Sequence, residues 1–255
     1  MKEVHKEFDK ILITEMCDPV FYLPQIYPII KSGQPIILYS KGIVPIDIFE
    51  EHKNVGFNLT ISGWGGSWLE PRVTEPEIMI SYYNSLIAKI DINRIKLRID
   101  PGIPTKEGLK KAIHILKSID KIPQIIISII QKYKWHSELF NKLGIEDFFY
   151  TIESGNALFP EKEIAESWIR RLLDARPEAE GYISFCGMPY EVQFSNHVGC
   201  VDETFLKAIG VEKFIKIKKG YQRPGCKCVI KKKQVLNGQQ CLHGCMYCYA
   251  QKAMI

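Results

Sequence analysis

The sequence predicts an α/β protein, a complete or partial (βα) TIM-like barrel that carries an irregular, cysteine-rich C-terminal tail. Three observations support this. Short runs rich in Ile and Val alternate with longer segments of helical spacing, and seven or eight such units fit within about 220 residues. The runs are apolar at successive positions, which is typical of strands buried on both faces of a parallel sheet. The alternation then stops before the chain ends. An open, doubly wound sheet is the alternative, because sequence alone does not show whether the sheet closes.

The predicted elements follow one another along the chain. Apolar runs predict strands at residues 10–14, 34–40, 55–62, 95–100, 122–130, 147–153 and 181–187. Helical spacing predicts helices at residues 76–90, 105–119 and 161–175. In the second helix, Ile113, Leu116 and Ile119 fall on one face and lysines lie opposite. The third helix is acidic at its start and basic later, as the helix dipole favours.

The end of the periodic pattern divides the chain into a predicted barrel domain, residues 1–220, and a predicted iron–sulfur tail, residues 221–255, packed on the barrel mouth. The tail is rich in Gly, Pro, Cys and Lys, so its order must come from something other than an apolar core, most simply a metal cluster. Residues 211–255 hold nine Lys and one Arg against a single acid, a net charge of +9. The whole chain carries +5, so residues 1–210 total −4.

Composition indicates a cytoplasmic protein with no membrane partner. The first ten residues are charged and lack the apolar stretch of a signal peptide, and no apolar run is long enough for a membrane helix. In the cytoplasm, eight cysteines favour metal binding or redox chemistry over a disulfide framework. Seven of them fall in the last seventy residues.

Polar side chains at the carboxyl ends of predicted strands are the candidate site residues, because a parallel barrel builds its active site there. Glu15, Arg98, Asp100 and Glu153 are candidate catalytic residues, and Lys41 is a candidate cofactor-binding residue. Arg98 stands out because a guanidinium inside an apolar strand needs a partner. In the alternative interpretation Arg98 only pairs with Asp100, and Glu15 and Glu153 are helix N-caps or surface acids.

A glycine-rich segment, SGWGGSWLEP at residues 62–71, leaves the third predicted strand. Its glycines allow the backbone to approach a ligand closely, and tryptophan offers a stacking surface. Trp64, Gly65 and Gly66 are therefore candidate cofactor-binding residues. A tight turn under hydrophobic cover is an equally good interpretation.

Cys241, Cys245 and Cys248 have the spacing C-x3-C-x2-C, and an aromatic residue, Tyr247, precedes the third cysteine. Zinc sites usually use pairs of C-x2-C. Three close thiolates instead suit a [4Fe–4S] cluster with one iron free of protein sulfur. A structural zinc knuckle is the alternative.

CLHGCMYC resembles the radical SAM signature at every position. The resemblance implies that the free iron binds S-adenosylmethionine (SAM), and that one electron cleaves SAM to methionine and a 5′-deoxyadenosyl radical. That radical would abstract hydrogen from a substrate. The resemblance also implies an oxygen-sensitive enzyme, the three cysteines as cluster ligands, Tyr247 as the neighbour of the adenine, and a reductant such as ferredoxin or flavodoxin as partner.

The signature comes last in this chain, whereas most radical SAM enzymes carry it after the first strand. The chain is similar to an uncharacterised domain-of-unknown-function family with the signature at its C-terminus. The similarity rests on GCKC followed by CLHGCMYCYA, on LEP at 69–71, on RIDP at 98–101 and on Gln222-Arg223. The cysteine region also resembles that of spore photoproduct lyases, radical SAM enzymes that repair DNA.

Four further cysteines, Cys186, Cys200, Cys226 and Cys228, are the number that a fully ligated second [4Fe–4S] cluster or an all-cysteine zinc site needs. Cys186 could instead be a buried strand residue. Cys17 could replace it as a ligand, although a core position for Cys17 is the favoured interpretation.

The lysines at 231–233 near Tyr221, Tyr247 and Tyr249 are compatible with a nucleic-acid or nucleotide substrate. Tyr249 is a candidate radical relay or stacking residue. A solvated basic loop is the alternative. Two other functions stay open: a zinc-bound nucleic-acid-binding module, and an iron–sulfur electron-transfer protein without SAM chemistry.

Overall fold

The computed structural model of the chain describes residues 7–145, 149–154, 157–222 and 225–248. The strands are β1 (Glu7–Phe8), β2 (Lys10–Ile13), β3 (Ile36–Ser40), β4 (Val55–Thr60), β5 (Ile95–Gly102), β6 (Gln124–Ile129), β7 (Lys132–Tyr133), β8 (Phe149–Ser154), β9 (Ala157–Pro160), β10 (Ile183–Phe185), β11 (Lys213–Phe214) and β12 (Lys231–Gln234). The helices are α1 (Leu23–Lys31), α2 (Ile46–Glu51), α3 (Pro76–Ile87), α4 (Lys106–Ser118), α5 (Ser137–Leu143), α6 (Lys162–Ala175) and α7 (Glu203–Ala208). Tyr249 lies outside the described residues.

Seven strands form one parallel sheet in the order β10-β6-β5-β4-β3-β2-β12. From β2 to β10 the spatial order follows the chain order, which is how a (βα) barrel winds. A doubly wound sheet must reverse its order at a switch point, so that alternative is wrong. No pairing joins β10 to β12 among the described strands, and the sheet is a curled half-barrel. The predicted α/β fold is therefore confirmed in its partial-barrel form.

The two faces of the sheet carry different side chains. Alternate residues such as Leu38, Leu97 and Ile125 are buried in the main core, which also contains apolar residues of α1, α2, α3, α4 and α6. Right-handed crossovers place the connecting helices on one face of a parallel sheet. The residues between them point to the concave face, where Ile37 and Tyr39 join a second core cluster that includes α7. The concave face also holds buried polar side chains, namely Asn58, Thr60, Lys96, Arg98 and Ser184.

The three predicted helices are confirmed within a few residues at each end. One predicted strand is placed wrongly. Residues 149–154 form β8, which pairs antiparallel with β9 in a separate sheet of three strands, in the order β7-β9-β8. An apolar run predicts a strand but not its partner, so Glu153 does not end a strand of the main sheet. The side chain of Glu153 is outside the described part of the structure.

The segment after residue 220 also departs from expectation. Residues 231–234, predicted to be irregular, form the edge strand β12, whose Lys231 is in register with Lys10 of β2. Three of its four residues are lysines, so the strand has no apolar signature. The predicted domain division at residue 220 stays a prediction. Among the described residues, no helix has both the length and the apolar character needed to cross a membrane.

Candidate active site

A cavity of about 200 Å³ lies at the carboxyl ends of the strands of the main sheet. Side chains that end or follow five neighbouring strands line it, and these are Glu15, Cys17, Asp18, Tyr39, Ser40, Lys41, Thr60, Arg98, Asp100 and Ser128. The cysteine loop lines the same cavity through Cys241, His243, Cys245, Tyr247 and Cys248. The structure therefore brings together seven of the predicted site residues: Glu15, Lys41, Arg98, Asp100 and the three signature cysteines, with Tyr247 as an eighth.

His243 fixes the cysteine loop to the segment that follows β2. Its Nε2 lies 2.6 Å from Oδ2 of Asp18, and both side chains are buried. The Asp18 carboxylate also accepts a hydrogen bond from the Ser40 hydroxyl at 2.7 Å and one from the backbone N–H of Lys41 at 2.7 Å. The phenyl ring of Phe21 packs edge-on against the imidazole, with centroids 4.8 Å apart. A buried network of this kind holds one arrangement of the loop.

Glu70 is a fully buried carboxylate that joins the glycine-rich segment to the cysteine loop. It pairs with the Lys41 ammonium at 2.7 Å and accepts hydrogen bonds from the hydroxyls of Ser62 and Tyr247. A buried charge requires such partners. Burial lowers the pKa of Lys41, but the Glu70 and Asp100 carboxylates outweigh it and raise that pKa. Burial, followed by the Glu70 charge, raises the pKa of Tyr247 well above its usual range, so the phenol keeps its proton.

The glycines at 65 and 66 shape the loop that carries Glu70. A Cβ on Gly65 would lie 2.0 Å from the carbonyl oxygen of Thr74, and Gly66 has a φ of +74°. Trp64 packs in an apolar cluster beside the site. None of these three residues lines the cavity, and their contact with a cofactor stays a prediction.

Arg98 and Tyr39 form the floor of the cavity. Arg98 pairs with the Asp100 carboxylate, and its guanidinium carbon lies 5.4 Å from the centroid of the Tyr39 ring. Burial alone would lower the pKa of Arg98, but Asp100 outweighs it and the pKa lies well above its usual range. Within the described residues, neither Nε of Arg98 nor the Tyr39 hydroxyl has a hydrogen-bond partner, and both atoms are buried.

The edge strand β12 contributes a lysine to the same region. Lys232 pairs with Glu15 at 2.5 Å, and its ammonium lies 6.0 Å from the Tyr39 ring centroid. Sequence reasoning missed four residues of this site: Asp18, Glu70, Lys232 and His243. The LEP and C-x-H-G-C matches contained the signal for Glu70 and His243, whereas the sequence marked Lys232 only as part of the basic run at 231–233 and not as a partner of Glu15.

The signature thiols face the cavity from one loop. Burial raises the pKa of Cys241, and it raises the pKa of Cys245 to about 12, against the opposing effect of the Lys41 ammonium. Cys17 lies next to Cys241, and burial raises its pKa to about 12 as well. A bound metal reverses this preference because it binds the thiolate form.

The second set of cysteines lies in the concave-face core. Sγ of Cys186 and Sγ of Cys200 are 3.5 Å apart. The Cys200 thiol also interacts with Cys228, which in turn interacts with Cys226. The hydrogen bond with Cys228 lowers the pKa of Cys226 to about 7.

Across the described ranges, no three His, Cys, Asp or Glu side chains are arranged around one point so as to hold a metal ion. In a [4Fe–4S] cluster each cysteine binds a different iron, so its thiols do not converge on one point. The soft thiolate donors of the signature loop fit such a cluster. All seven metal-ligand assignments stay predictions.

Comparison with known proteins gives a family and a fold. The family model described as a domain of unknown function (DUF1848) matches residues 37–250. Two solved structures of spore photoproduct lyase mutants are similar, with TM-scores of 0.51 and 0.50 and 9% sequence identity. Each alignment covers 72% of this chain and 62% of the lyase chain. No curated protein matches the sequence. At this identity the likeness concerns the fold alone. The family match confirms the similarity to a domain-of-unknown-function family that the sequence indicated.

Proposed function

The chain belongs to the family described as a domain of unknown function (DUF1848), and we propose that it is a radical SAM enzyme. One observation carries this proposal: the three signature cysteines line the same cavity as the polar strand-end residues. The likeness in fold to spore photoproduct lyase, a radical SAM enzyme, supports it. When bound, a [4Fe–4S] cluster supplies the electron that cleaves SAM to the 5′-deoxyadenosyl radical, which abstracts hydrogen from a substrate.

Cys241, Cys245 and Cys248 would hold the cluster. The chain prepares this loop in two ways. The pair of His243 and Asp18 fixes the loop to the segment that follows β2, and Gly244 allows its turn with a φ of +69°. The nearby Lys41 ammonium favours the thiolate form of Cys245.

Tyr247 is assigned to the adenine of SAM. Its hydroxyl donates to Glu70, and Glu70 is itself held by Lys41 and Ser62. The ring is therefore fixed where it lines the cavity, and this reduces the entropic cost of stacking a ligand on it.

Arg98, Asp100 and Glu15 are assigned to SAM or substrate. A guanidinium binds carboxylate or phosphate through several N–H donors, and a carboxylate binds an ammonium or hydroxyls. The buried floor keeps water and stray hydrogen donors away from a radical. Glu153 and Tyr249 stay catalytic candidates by sequence alone, and Trp64, Gly65 and Gly66 stay cofactor-binding candidates.

The proposed partners are a reductant such as ferredoxin or flavodoxin and, as substrate, a nucleic acid or nucleotide. Cys241 and Cys248 are only half-buried, which favours electron transfer from a protein that docks beside them. The basic segment after residue 210 favours testing nucleic acids first. We propose a cytoplasmic, oxygen-sensitive enzyme.

An anaerobic assay tests the function. The chain is reconstituted with iron and sulfide, dithionite and SAM are added, and 5′-deoxyadenosine is measured. Cys245→Ala should abolish product. The matched control is Met246→Ala, because Met246 is 54% exposed between two signature residues and is held through its backbone N–H, which donates to the Leu69 carbonyl at 3.0 Å.

The alternatives predict different results. A colourless protein that keeps zinc and binds nucleic acid with a steep dependence on salt would contradict the enzyme proposal. A brown protein that binds clusters but shows no affinity for SAM would favour electron transfer.

A further inference from the structure

We propose that Cys186, Cys200, Cys226 and Cys228 form a second metal centre, separate from the signature cysteines and bound by four thiolates. Its metal is an iron–sulfur cluster or a zinc ion, the two groups that take four cysteine ligands in this way. The inference does not depend on SAM chemistry. It concerns the concave-face core beneath the cavity.

The three chain segments that carry Cys186, Cys200 and the pair Cys226 and Cys228 meet there through backbone contacts that only glycine allows. A Cβ on Gly199 would lie 2.5 Å from the carbonyl carbon and oxygen of Lys227 and 2.6 Å from the backbone nitrogen of Cys228. A Cβ on Gly225 would lie 2.1 Å from the carbonyl oxygen of Met188. Each contact joins two segments beside their cysteines, so the chain is built to bring these thiols together.

The thiols themselves form a buried, continuous group. Cys200, Cys226 and Cys228 are at most 5% exposed. Sγ of Cys200 is 3.5 Å from Sγ of Cys186, and interactions continue from Cys200 to Cys228 and from Cys228 to Cys226. Four cysteines from three segments in one group is a donor set for a soft metal, and is more than packing requires.

The surroundings suit anionic sulfur. The Arg98 guanidinium interacts electrostatically with Cys186 and Cys200, and the Lys232 ammonium interacts with Cys200 and Cys228. Arg98 pairs with Asp100 and Lys232 pairs with Glu15, so each cation already has a counter-charge, but both also lie within electrostatic range of the sulfurs. Thiolates bound to a metal supply negative charge beside them.

Two buried donors also lack an acceptor. Within the described residues, the Tyr39 hydroxyl and Nε of Arg98 have no hydrogen-bond partner. Both side chains interact electrostatically with Cys200. Hydrogen bonds to ligand sulfurs are a known way in which proteins tune metal–thiolate centres. A metal centre would therefore give these donors an acceptor.

Because no three thiols converge on one point as placed, binding requires them to rotate about their Cα–Cβ bonds. Zinc would draw the four sulfurs around one ion, whereas a cluster would set one sulfur against each iron. Metal analysis distinguishes these two outcomes directly.

The experiment uses the full chain in which Cys241, Cys245 and Cys248 are all replaced by Ala, so that the signature cluster cannot form. After anaerobic reconstitution, iron, zinc and acid-labile sulfide are measured per chain. We expect about four irons with about four sulfides, or about one zinc. Adding Cys200→Ser and Cys226→Ser should remove that metal. Adding Cys17→Ser instead should leave it, and Cys17 is matched because it is buried to the same degree.

The native chain provides a second readout that does not depend on variants folding. It should carry about eight irons, or about four irons with one zinc. A native chain with only about four irons and no zinc, all of them lost when Cys241, Cys245 and Cys248 are replaced, would overturn the second centre while leaving the radical SAM proposal intact. Metal that stays after the Cys200 and Cys226 substitutions would also overturn it, as would a disulfide between Cys186 and Cys200 in anaerobic protein.

Discussion

Two arginines four residues apart, Arg94 and Arg98, show how the two ends of the sheet differ. Both are buried. Arg94, just before β5, donates to the carbonyl oxygens of Phe49, His52 and Val55 at 2.7–3.1 Å, and all three of its guanidinium nitrogens are used. Arg98, within β5, pairs with Asp100 and keeps a buried Nε with no partner among the described residues.

The difference agrees with the proposed function, in which the carboxyl end of the sheet binds ligands and the amino end is structural. At the amino end, the donors are matched by acceptors of the fold itself, so a ligand would gain nothing there. At the carboxyl end, donors and thiols exceed the acceptors that the fold provides, and such a surplus is costly unless a ligand or metal uses it.

The largest expected effect is on stability, and it comes from a substitution at the amino end of the sheet. Arg94→Met removes the guanidinium donor from the carbonyl oxygens of Phe49, His52 and Val55, and we expect the free energy of unfolding to fall by about 3 kcal/mol. Urea unfolding of the reconstituted protein measures it. The rate of 5′-deoxyadenosine formation per folded chain should not change. A stable variant with a lower rate would mean that the amino end takes part in the chemistry.

The matching substitution at the carboxyl end should lower the reaction rate strongly and the stability only a little. Arg98→Met removes a charged donor from the cavity floor, and we expect the rate of SAM cleavage to fall about 100-fold, as for loss of a charge-assisted hydrogen bond. The free energy of unfolding should change less than in Arg94→Met, because the Asp100 side chain is 30% exposed and can be hydrated. If both variants lost the same stability and kept the native rate of SAM cleavage, the proposed difference between the two arginines would be contradicted.

Glu70→Gln tests the link between the glycine-rich segment and the cysteine loop. The amide keeps the shape of the side chain but removes the charge that pairs with Lys41. We expect about tenfold weaker SAM binding, because Tyr247 and Lys41 lose a common anchor. Calorimetric titration of the reconstituted protein with SAM measures it. Glu75→Gln, an exposed position that caps no helix with its side chain, is the control. Equal affinity in both variants would remove Glu70 from the site.

The smallest effect concerns the exposed lysines of β12. Lys231 and Lys233 are exposed, and the Lys231 ammonium lies 5.4 Å from the Tyr221 ring centroid. Replacing both by Ala should weaken binding of single-stranded DNA a few-fold and reduce the slope of log affinity against log salt by about 1 to 2. The control replaces Lys106 and Lys110 of α4, which changes the net charge equally. Equal losses of DNA affinity in the two double variants would show that the DNA responds to net charge alone and does not bind at β12.

Much of the fold was predictable because the strands of the main sheet are rich in buried Ile, Leu and Val. The runs that became β3, β4 and β6 needed no knowledge of their partners to be recognised. β8 and β12 were not placed correctly, for two different reasons. β8 is apolar but pairs antiparallel with its neighbour in the chain, and β12 is mostly lysine and is held by pairing with β2.

The candidate site was predictable where it follows strand order. Glu15, Lys41, Arg98 and Asp100 lie in or just after β2, β3 and β5, which follow chain order within one sheet, so local pattern was enough. Lys232 reaches Glu15 across 217 positions of the sequence, and His243 reaches Asp18 across 225. No local periodicity encodes contacts of that range, although the C-x-H-G-C pattern marked one of the partners.

The most direct test of the central claim is an electron paramagnetic resonance spectrum of the dithionite-reduced, reconstituted chain, recorded with and without SAM. If the signature cluster has one iron free of protein sulfur at the cavity, SAM should change the spectrum of that cluster, and Cys245→Ala should abolish the responsive signal. A cluster that depends on Cys245 but gives the same spectrum with and without saturating SAM would contradict the account.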